Sequence, residues 1–194
     1  MGEKSIQKKE YILTVAREVF IEKGYKNVTM KDIVEACNIS RGGLYLYFES
    51  TKEIFLNVLQ MEAQETDDVF ASEITEEAGA GDILALFLKE QKKELLRKKN
   101  NLTVAIYEYF FENKPKGKAN LIRTQFEEAV SIIEQLIRAG VENGEFYNVD
   151  PEVTARNIMY VIEGMKVASK TMGITGEIVD QQFLHIMQGL IIEE

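Results

Sequence analysis

The segment from Ser40 to Lys52 has the residue types and spacing that could bind a polyanion. It begins Ser40-Arg41-Gly42-Gly43-Leu44-Tyr45-Leu46-Tyr47-Phe48 and ends at Lys52. Its hydroxyl, guanidinium, phenol and ammonium groups are donors that suit phosphate oxygens and the edges of nucleic-acid bases. The paired glycines let a helix backbone come close to a groove wall. Together these groups indicate noncovalent binding to a phosphate backbone and to base edges.

Two short helices are predicted around this segment. Thr29 is a suitable N-cap with Asp32 three residues later, and Ser40 is a second N-cap after a turn at residues 37–39. Apolar residues at helical spacing follow each cap. Two short helices joined by so tight a turn form a helix-turn-helix, whose second helix can enter the major groove of DNA.

This interpretation gives each polar group a partner on DNA. Arg41 reaches a guanine edge or a phosphate, and Tyr45 and Tyr47 bond phosphates or base edges. Thr29 and Lys31, at the start of the first short helix, anchor phosphate together with Lys52. The predicted DNA-binding residues are therefore Thr29, Lys31, Ser40, Arg41, Gly42, Gly43, Tyr45, Tyr47 and Lys52.

A packing explanation stands beside this one. A Tyr-x-Tyr-Phe pattern at helical spacing is more often core packing when it occurs alone, and Leu44 and Phe48 are assigned to the core here. The turn spacing, the two N-caps and Lys52 in register favour DNA binding for the remaining residues.

The stretch from Ile39 to Glu53 resembles the recognition-helix signature of the TetR family of bacterial regulators. A first helix ending at Gly24-Tyr25 and a later turn over residues 144–151 also fit the family's pattern. The resemblance covers about the first 60 residues strongly and the remainder in outline. It implies an all-helical, dimeric repressor that a small molecule releases from its DNA operator.

Three positions depart from the family's pattern. Gly43, Leu46 and Tyr47 stand where a hydroxyl residue, an aromatic residue and a histidine are common. These departures predict a different operator rather than a different class of protein.

The charge distribution is uneven along the chain. The net charge is −9, which by itself argues against a nucleic-acid partner. The first 52 residues, however, hold nine basic and seven acidic side chains, whereas the rest holds 14 basic and 25 acidic ones. This is the asymmetry of a small DNA-binding head on an acidic body.

The composition predicts an all-α fold of about nine helices, because only two prolines and thirteen glycines interrupt the chain. An N-terminal three-helix head is assigned to residues 1–52, a linking helix to 51–71, and a larger ligand-binding and dimerisation domain to 72–194. A loop is expected at residues 76–82. The head begins with a helix over 8–23, and the later helices are expected at 82–98, 102–113, 118–143, 151–172 and 176–192.

The resemblance implies a ligand cavity and a dimer interface in the larger domain. The pocket candidates are Phe87, Gln91, Tyr107, Phe110, Phe111, Phe126, Met159 and Glu163. The interface candidates, on the last two helices, are Ile158, Ile162, Met165, Ala168, Phe183, Met187 and Leu190. For both sets the alternative is core packing within one chain. The linking helix is expected to transmit ligand binding to the head.

Other classes of protein receive little support from the residues. His185 has no Cys or His companion for a metal, and Cys37 is assigned to the core, so no metal site, cofactor or catalytic triad is expected. No apolar run is long enough to span a bilayer, which favours a cytoplasmic protein without a membrane partner. The remaining alternatives are a ligand-binding dimer without selective DNA binding, an activator, and an enzyme that uses the helical cavity.

Overall fold

The computed structural model describes residues 3–73, 78–97, 101–117 and 120–192, with side-chain surroundings for all of these except 63–73. Within these ranges the regular structure is helical, as predicted. The helices are α1 Glu3–Lys23, α2 Met30–Ala36, α3 Arg41–Tyr45, α4 Thr51–Glu73, α5 Ala80–Leu96, α6 Thr103–Asn113, α7 Leu121–Glu142, α8 Pro151–Thr171 and α9 Gly176–Gln188.

Side-chain caps begin several helices where the sequence predicts them. Thr29 and Asp32 form a reciprocal capping box at the start of α2. Ser40 accepts a hydrogen bond from the Gly43 amide at the start of α3. Asp150 caps α8, which has Pro151 at its first position. These caps satisfy amides that have no partner within their own helix.

Several helix ends differ from the prediction. The first helix begins at Glu3 rather than near residue 8. The last ends at Gln188, because the chain turns at Gly189 and Ile191 pairs with Phe146 in an antiparallel bridge. The predicted loop at 76–82 is contradicted after Gly79, where α5 begins, and residues 76 and 77 lie outside the described residues. So do the predicted helix ends at 98 and 118.

By packing, the chain forms two units, and the first is not continuous in sequence. It comprises Met1–Ser72 together with Lys99–Lys114, so α6 belongs to the same unit as the N-terminal head and contacts α1. Its buried core includes Phe20, Leu44 and Phe55. The domain boundaries at residues 52 and 72 remain a prediction. In the structure, the segment Lys99–Lys114 also belongs to the first unit.

The second unit comprises Glu73–Lys98 and Pro115–Glu194. One apolar cluster joins α5, α7, α8 and α9, with Leu84, Ile137 and Ile162 fully buried. The α7 backbone lies so close to the Phe146 ring that a Cβ on Gly140 would come within 2.3 Å of it. Among the described residues, no helix has both the length and the apolar character that a membrane span requires.

Candidate nucleic-acid interface

The helix-turn-helix is held from its inner side by buried apolar residues. Leu44 and Phe48 are 0% and 1% exposed, which confirms their assignment to the core. The Tyr11 hydroxyl donates to the Cys37 carbonyl at 3.3 Å and ties α1 to the turn between α2 and α3. In that turn Asn38 adopts a positive φ of 48°, a conformation that asparagine tolerates better than most residues. The outer side of α3 is thereby fixed toward solvent.

Arg41 and Tyr45 form the centre of this outer surface. Both side chains are exposed, and they lie one helical turn apart on α3. The Arg41 guanidinium carbon is 5.5 Å from the centroid of the Tyr45 ring, within range of a cation–π contact. This contact places a cationic fork and a phenol hydroxyl side by side, an arrangement suited to a phosphate or a guanine edge.

Ser40 can serve as cap and DNA ligand at once. Its Oγ accepts from the Gly43 amide at 3.1 Å, and this bond leaves the hydroxyl proton available for donation. A phosphate oxygen is an acceptor, so the two partners do not compete for the same atom. The exposed position of Ser40 at the start of α3 is consistent with the predicted contact.

Thr29 is placed differently, because the α2 cap uses its hydroxyl, and its phosphate contact remains a prediction. Its hydroxyl donates to Asp32 Oδ2 at 2.6 Å and accepts from the Asp32 amide at 3.2 Å. Because the single hydroxyl proton is used, Thr29 cannot donate it to phosphate while the cap is intact. Lys23, 2.7 Å from Asp32, and the Thr29 bonds hold the pKa of the Asp32 carboxyl well below its usual range. Thr29 is thus a structural cap.

The remaining predicted contacts lie around α3. Lys31 and Lys52 are exposed in the first turns of α2 and α4, and Lys31 Nζ is 3.6 Å from Glu35. Tyr47 is half-buried. A Cβ on Gly42 would meet open space, whereas one on Gly43 would come within 3.1 Å of the Ser40 oxygen. These positions suit DNA contact, which remains a prediction.

The sequence analysis missed Leu46 as a candidate contact. This residue is the C-cap of α3 and is 83% exposed, an unusual position for a large apolar side chain. The signal was present in the spacing. Leu46 lies two residues from both Leu44 and Phe48, so on a helix it cannot share their buried face. In the major groove, leucine can contact the methyl group of thymine.

The predicted ligand-pocket residues are distributed over both units. Tyr107, Phe110 and Phe111 belong to α6 and thus to the first unit, and Phe111 is 73% exposed. The other five belong to the second unit. There Met159 is buried, Phe87 and Phe126 pack against the apolar cluster, Gln91 is half-buried, and Glu163 forms an ion pair with Lys166 at 2.7 Å. The pocket therefore remains a prediction.

Most predicted dimer-interface residues are corrected to core. Ile158, Ile162, Met165, Phe183 and Leu190 are each at most 7% exposed within one chain, so they are not available to a partner. Ala168 and Met187 are half-buried. The apolar side chains that α8 and α9 do expose are Val153, Tyr160, Val167, Ile178 and Leu184. The sequence pattern does not separate the α8 core positions from its exposed side, because apolar residues lie on both sides of this helix. An interface on α8 and α9 remains a prediction.

The described part of the chain contains no group of three or more His, Cys, Asp or Glu side chains that could hold a metal ion. Cys37 is buried as predicted, and burial raises the pKa of its thiol. His185 is exposed on α9.

Comparison with known proteins finds two family models that match most of the chain. Residues 12–58 match the family model described as bacterial regulatory proteins, tetR family. Residues 83–193, more than half of the chain, match the model described as tetracyclin repressor-like, C-terminal domain. The chain therefore belongs to the TetR family and is a DNA-binding transcriptional regulator.

Individual relatives are similar over most of their length. The HTH-type regulator YfiR of Bacillus subtilis, itself uncharacterized, is 29% identical over 74% of this chain and 70% of its own. QacR of Staphylococcus aureus, also an HTH-type transcriptional regulator, is 25% identical over 81% and 83%. A TetR regulator from Haloarcula marismortui, at 19% identity, has the same fold with a TM-score of 0.83, covering 96% of this chain and 99% of that one.

Proposed function

We propose that this regulator is a repressor that binds its operator as a homodimer and releases it when the second unit binds a small molecule. One observation carries the DNA-binding part of the proposal. On α3, Leu44 is buried while Arg41 and Tyr45 face solvent in mutual contact. A helix anchored on one side and rich in donors on the other is the form that enters a major groove.

The dimer is supported by the exposed stripe of α8. Val153, Tyr160 and Val167 recur every seven residues and are 65%, 62% and 44% exposed. Gly164 lies exposed on the same helix, and a Cβ there would meet no neighbouring atom within 4 Å. An apolar stripe with a small residue suits close packing against a symmetry-related helix. A two-fold dimer also matches two DNA half-sites.

Ligand response is proposed from the family and from the division into two units. Release requires the ligand to bind one arrangement of the two heads more tightly than another. We propose that α4, a helix of 23 residues that ends at Glu73, carries part of this change. The differential affinity for the two arrangements sets how far the ligand can shift DNA binding.

The test is binding of the purified chain to the DNA that flanks its own gene, at stated salt. Arg41→Ala and Tyr45→Ala are each expected to weaken selective binding about tenfold or more. Lys116→Ala, which removes an exposed cation from the second unit, is the matched control and is expected to bind like the wild type. Absence of selective binding by a folded wild-type dimer would contradict the proposal.

A reporter fused to the bound DNA separates repression from activation. Deleting the gene for this chain is expected to raise reporter output, and restoring the wild type, but not Arg41→Ala, is expected to lower it again. A fall in output on deletion would identify an activator instead.

A further inference from the structure

The turn between α1 and α2 is held by a residue far away in sequence. The backbone amide of Lys26 donates to Glu108 Oε2 at 3.1 Å, across 82 positions of the chain. Glu108 lies on α6, and both residues belong to the first unit. A carboxylate that accepts from a backbone amide forms a charge-assisted bond, stronger than one between neutral groups.

Gly24 makes room for this carboxylate. It has a positive φ of 73°, and a Cβ at this position would lie 2.6 Å from Glu108 Oε2. The residue is therefore constrained twice, by its backbone conformation and by the neighbouring carboxylate. The sequence analysis explained Gly24 only as the end of the first helix, and the second constraint appears only in the structure.

Aromatic packing strengthens the same contact. The Tyr109 ring centroid is 5.0 Å from that of Tyr25 and 5.4 Å from that of Phe55, and Tyr109 is 2% exposed. The Tyr25 phenol also bonds the Asn113 side chain, while burial raises the pKa of Tyr25. Three residues of α6 therefore contact the turn that leads directly into the helix-turn-helix.

The connections between the two units indicate how this contact could take part in regulation. The backbone passes between the two units at residues 72–73, 98–99 and 114–115, so both ends of α6 are covalently joined to the second unit. The predicted pocket residues Tyr107 and Phe110 flank Glu108 and Tyr109 on this helix. A displacement of α6 can therefore reach the head through these contacts, without involving α4.

We propose that Glu108 is the positioning residue through which α6 controls the head, so that a ligand that shifts α6 alters DNA binding directly. This role rests on the proposed function, because it assumes that the head binds DNA. It differs from a purely structural role in one measurable respect. Coupling is reciprocal, so DNA binding at the head must also change the behaviour of α6.

The experiment measures backbone amide hydrogen exchange of the whole chain of 194 residues with and without a DNA duplex from the region flanking its gene. In the wild type, DNA is expected to slow exchange in α6 several-fold. Glu108→Ala is expected to bind DNA and yet lose this response. Without DNA, its Lys26 amide is expected to exchange about tenfold faster than in the wild type.

Three further variants make the result specific. Glu108→Gln keeps an oxygen acceptor for the Lys26 amide and is expected to restore the response. Glu108→Asp keeps the charge but is one methylene shorter, so it is expected to behave like Glu108→Ala. If Glu108→Ala does not fold, Glu108→Asp takes its place in the experiment. Glu112→Ala removes an exposed carboxylate from the same helix and is expected to respond like the wild type.

The outcomes separate two failures. If the wild type binds DNA but α6 does not respond, or if Glu108→Ala responds like the wild type, the coupling role of Glu108 is wrong and the proposed function stands. If the folded wild type binds no DNA selectively, the proposed function fails and the coupling role fails with it.

Discussion

At the scale of single residues, hydroxyl groups with similar sequence signals have different hydrogen-bond partners. Thr29 and Ser40 are both N-caps three residues before the amide that they bind, and the sequence predicts both caps correctly. Only the structure shows that the Thr29 proton is donated to Asp32. Whether a threonine can also bind phosphate therefore depends on the direction of one proton, which residue spacing does not determine.

Leu46 is expected to contribute to operator choice through a thymine methyl group. Burying one methyl-sized group is worth about 0.8 kcal/mol, or about fourfold in Kd. Replacing the contacted thymine by deoxyuridine in one half-site of the operator is therefore expected to weaken wild-type binding about fourfold. Leu46→Ala is expected to bind both duplexes equally. A wild type that does not distinguish the duplexes would contradict this role.

Asp32→Asn is expected to lower the free energy of unfolding of the chain by about 1 kcal/mol at neutral pH, because it weakens the α2 cap. The folded-state pKa of Asp32 lies below its ordinary value of 3.8. Its stabilising contribution is thus present above about pH 4 and is lost as the pH falls further. Denaturant titrations of both chains at pH 7 and pH 3 are expected to show a smaller difference at pH 3. An equal difference at both values would argue against an ionised cap.

At the scale of elements, the sequence predicts helix starts better than helix ends and faces. The Asp150-Pro151 start of α8 is local chemistry and was predicted to the residue. The end of α9 depends on a distant partner, since the Tyr147 amide donates to the Leu190 carbonyl at 2.8 Å. The exposed face of α8 could not be predicted for the same reason, because its packing partners on α5 and α7 are not encoded in its own pattern.

Gly140→Ala is expected to destabilise the second unit by about 1–3 kcal/mol, because the added methyl overlaps the Phe146 ring. Unfolding in denaturant, followed by circular dichroism, measures the change. Phe146→Leu in the same chain is expected to relieve the overlap, so the double variant should be more stable than the sum of the two single changes predicts. Simple additivity would show that the ring does not limit the space at Gly140.

At the scale of the whole molecule, the sequence predicts an all-α regulator with an N-terminal head, and both family models agree. It does not predict that α6 belongs to the same unit as the head. That association depends on contacts such as Glu108 with Lys26, whose sequence separation of 82 leaves no periodic signal. The division of functions along the chain is therefore less strict than a boundary near residue 72 suggests.

Dimerisation through the exposed stripe of α8 is tested by Tyr160→Glu and Val167→Glu. Each is expected to weaken the dimer about tenfold or more in sedimentation, because it places a charge in an apolar contact. Helical content should be retained, since both side chains are exposed in the single chain. Ile132→Glu makes the same change on the exposed side of α7 and is the control. If Ile132→Glu dissociates the dimer and the α8 variants do not, the interface lies on α7 instead of α8.

The most direct measurement of the central claim is DNA cleavage by an iron chelate attached next to α3. Glu49 is exposed just beyond this helix, and Cys37 is buried, so Glu49→Cys provides one reactive thiol. In the bound complex we expect cleavage at two places about one helical turn of DNA apart, or a multiple of that distance. The same label at Ser131→Cys, on the exposed side of α7, is expected to give none. Cleavage from the Ser131 label, with none from the Glu49 label in a complex that retains full affinity, would contradict recognition of DNA by α3.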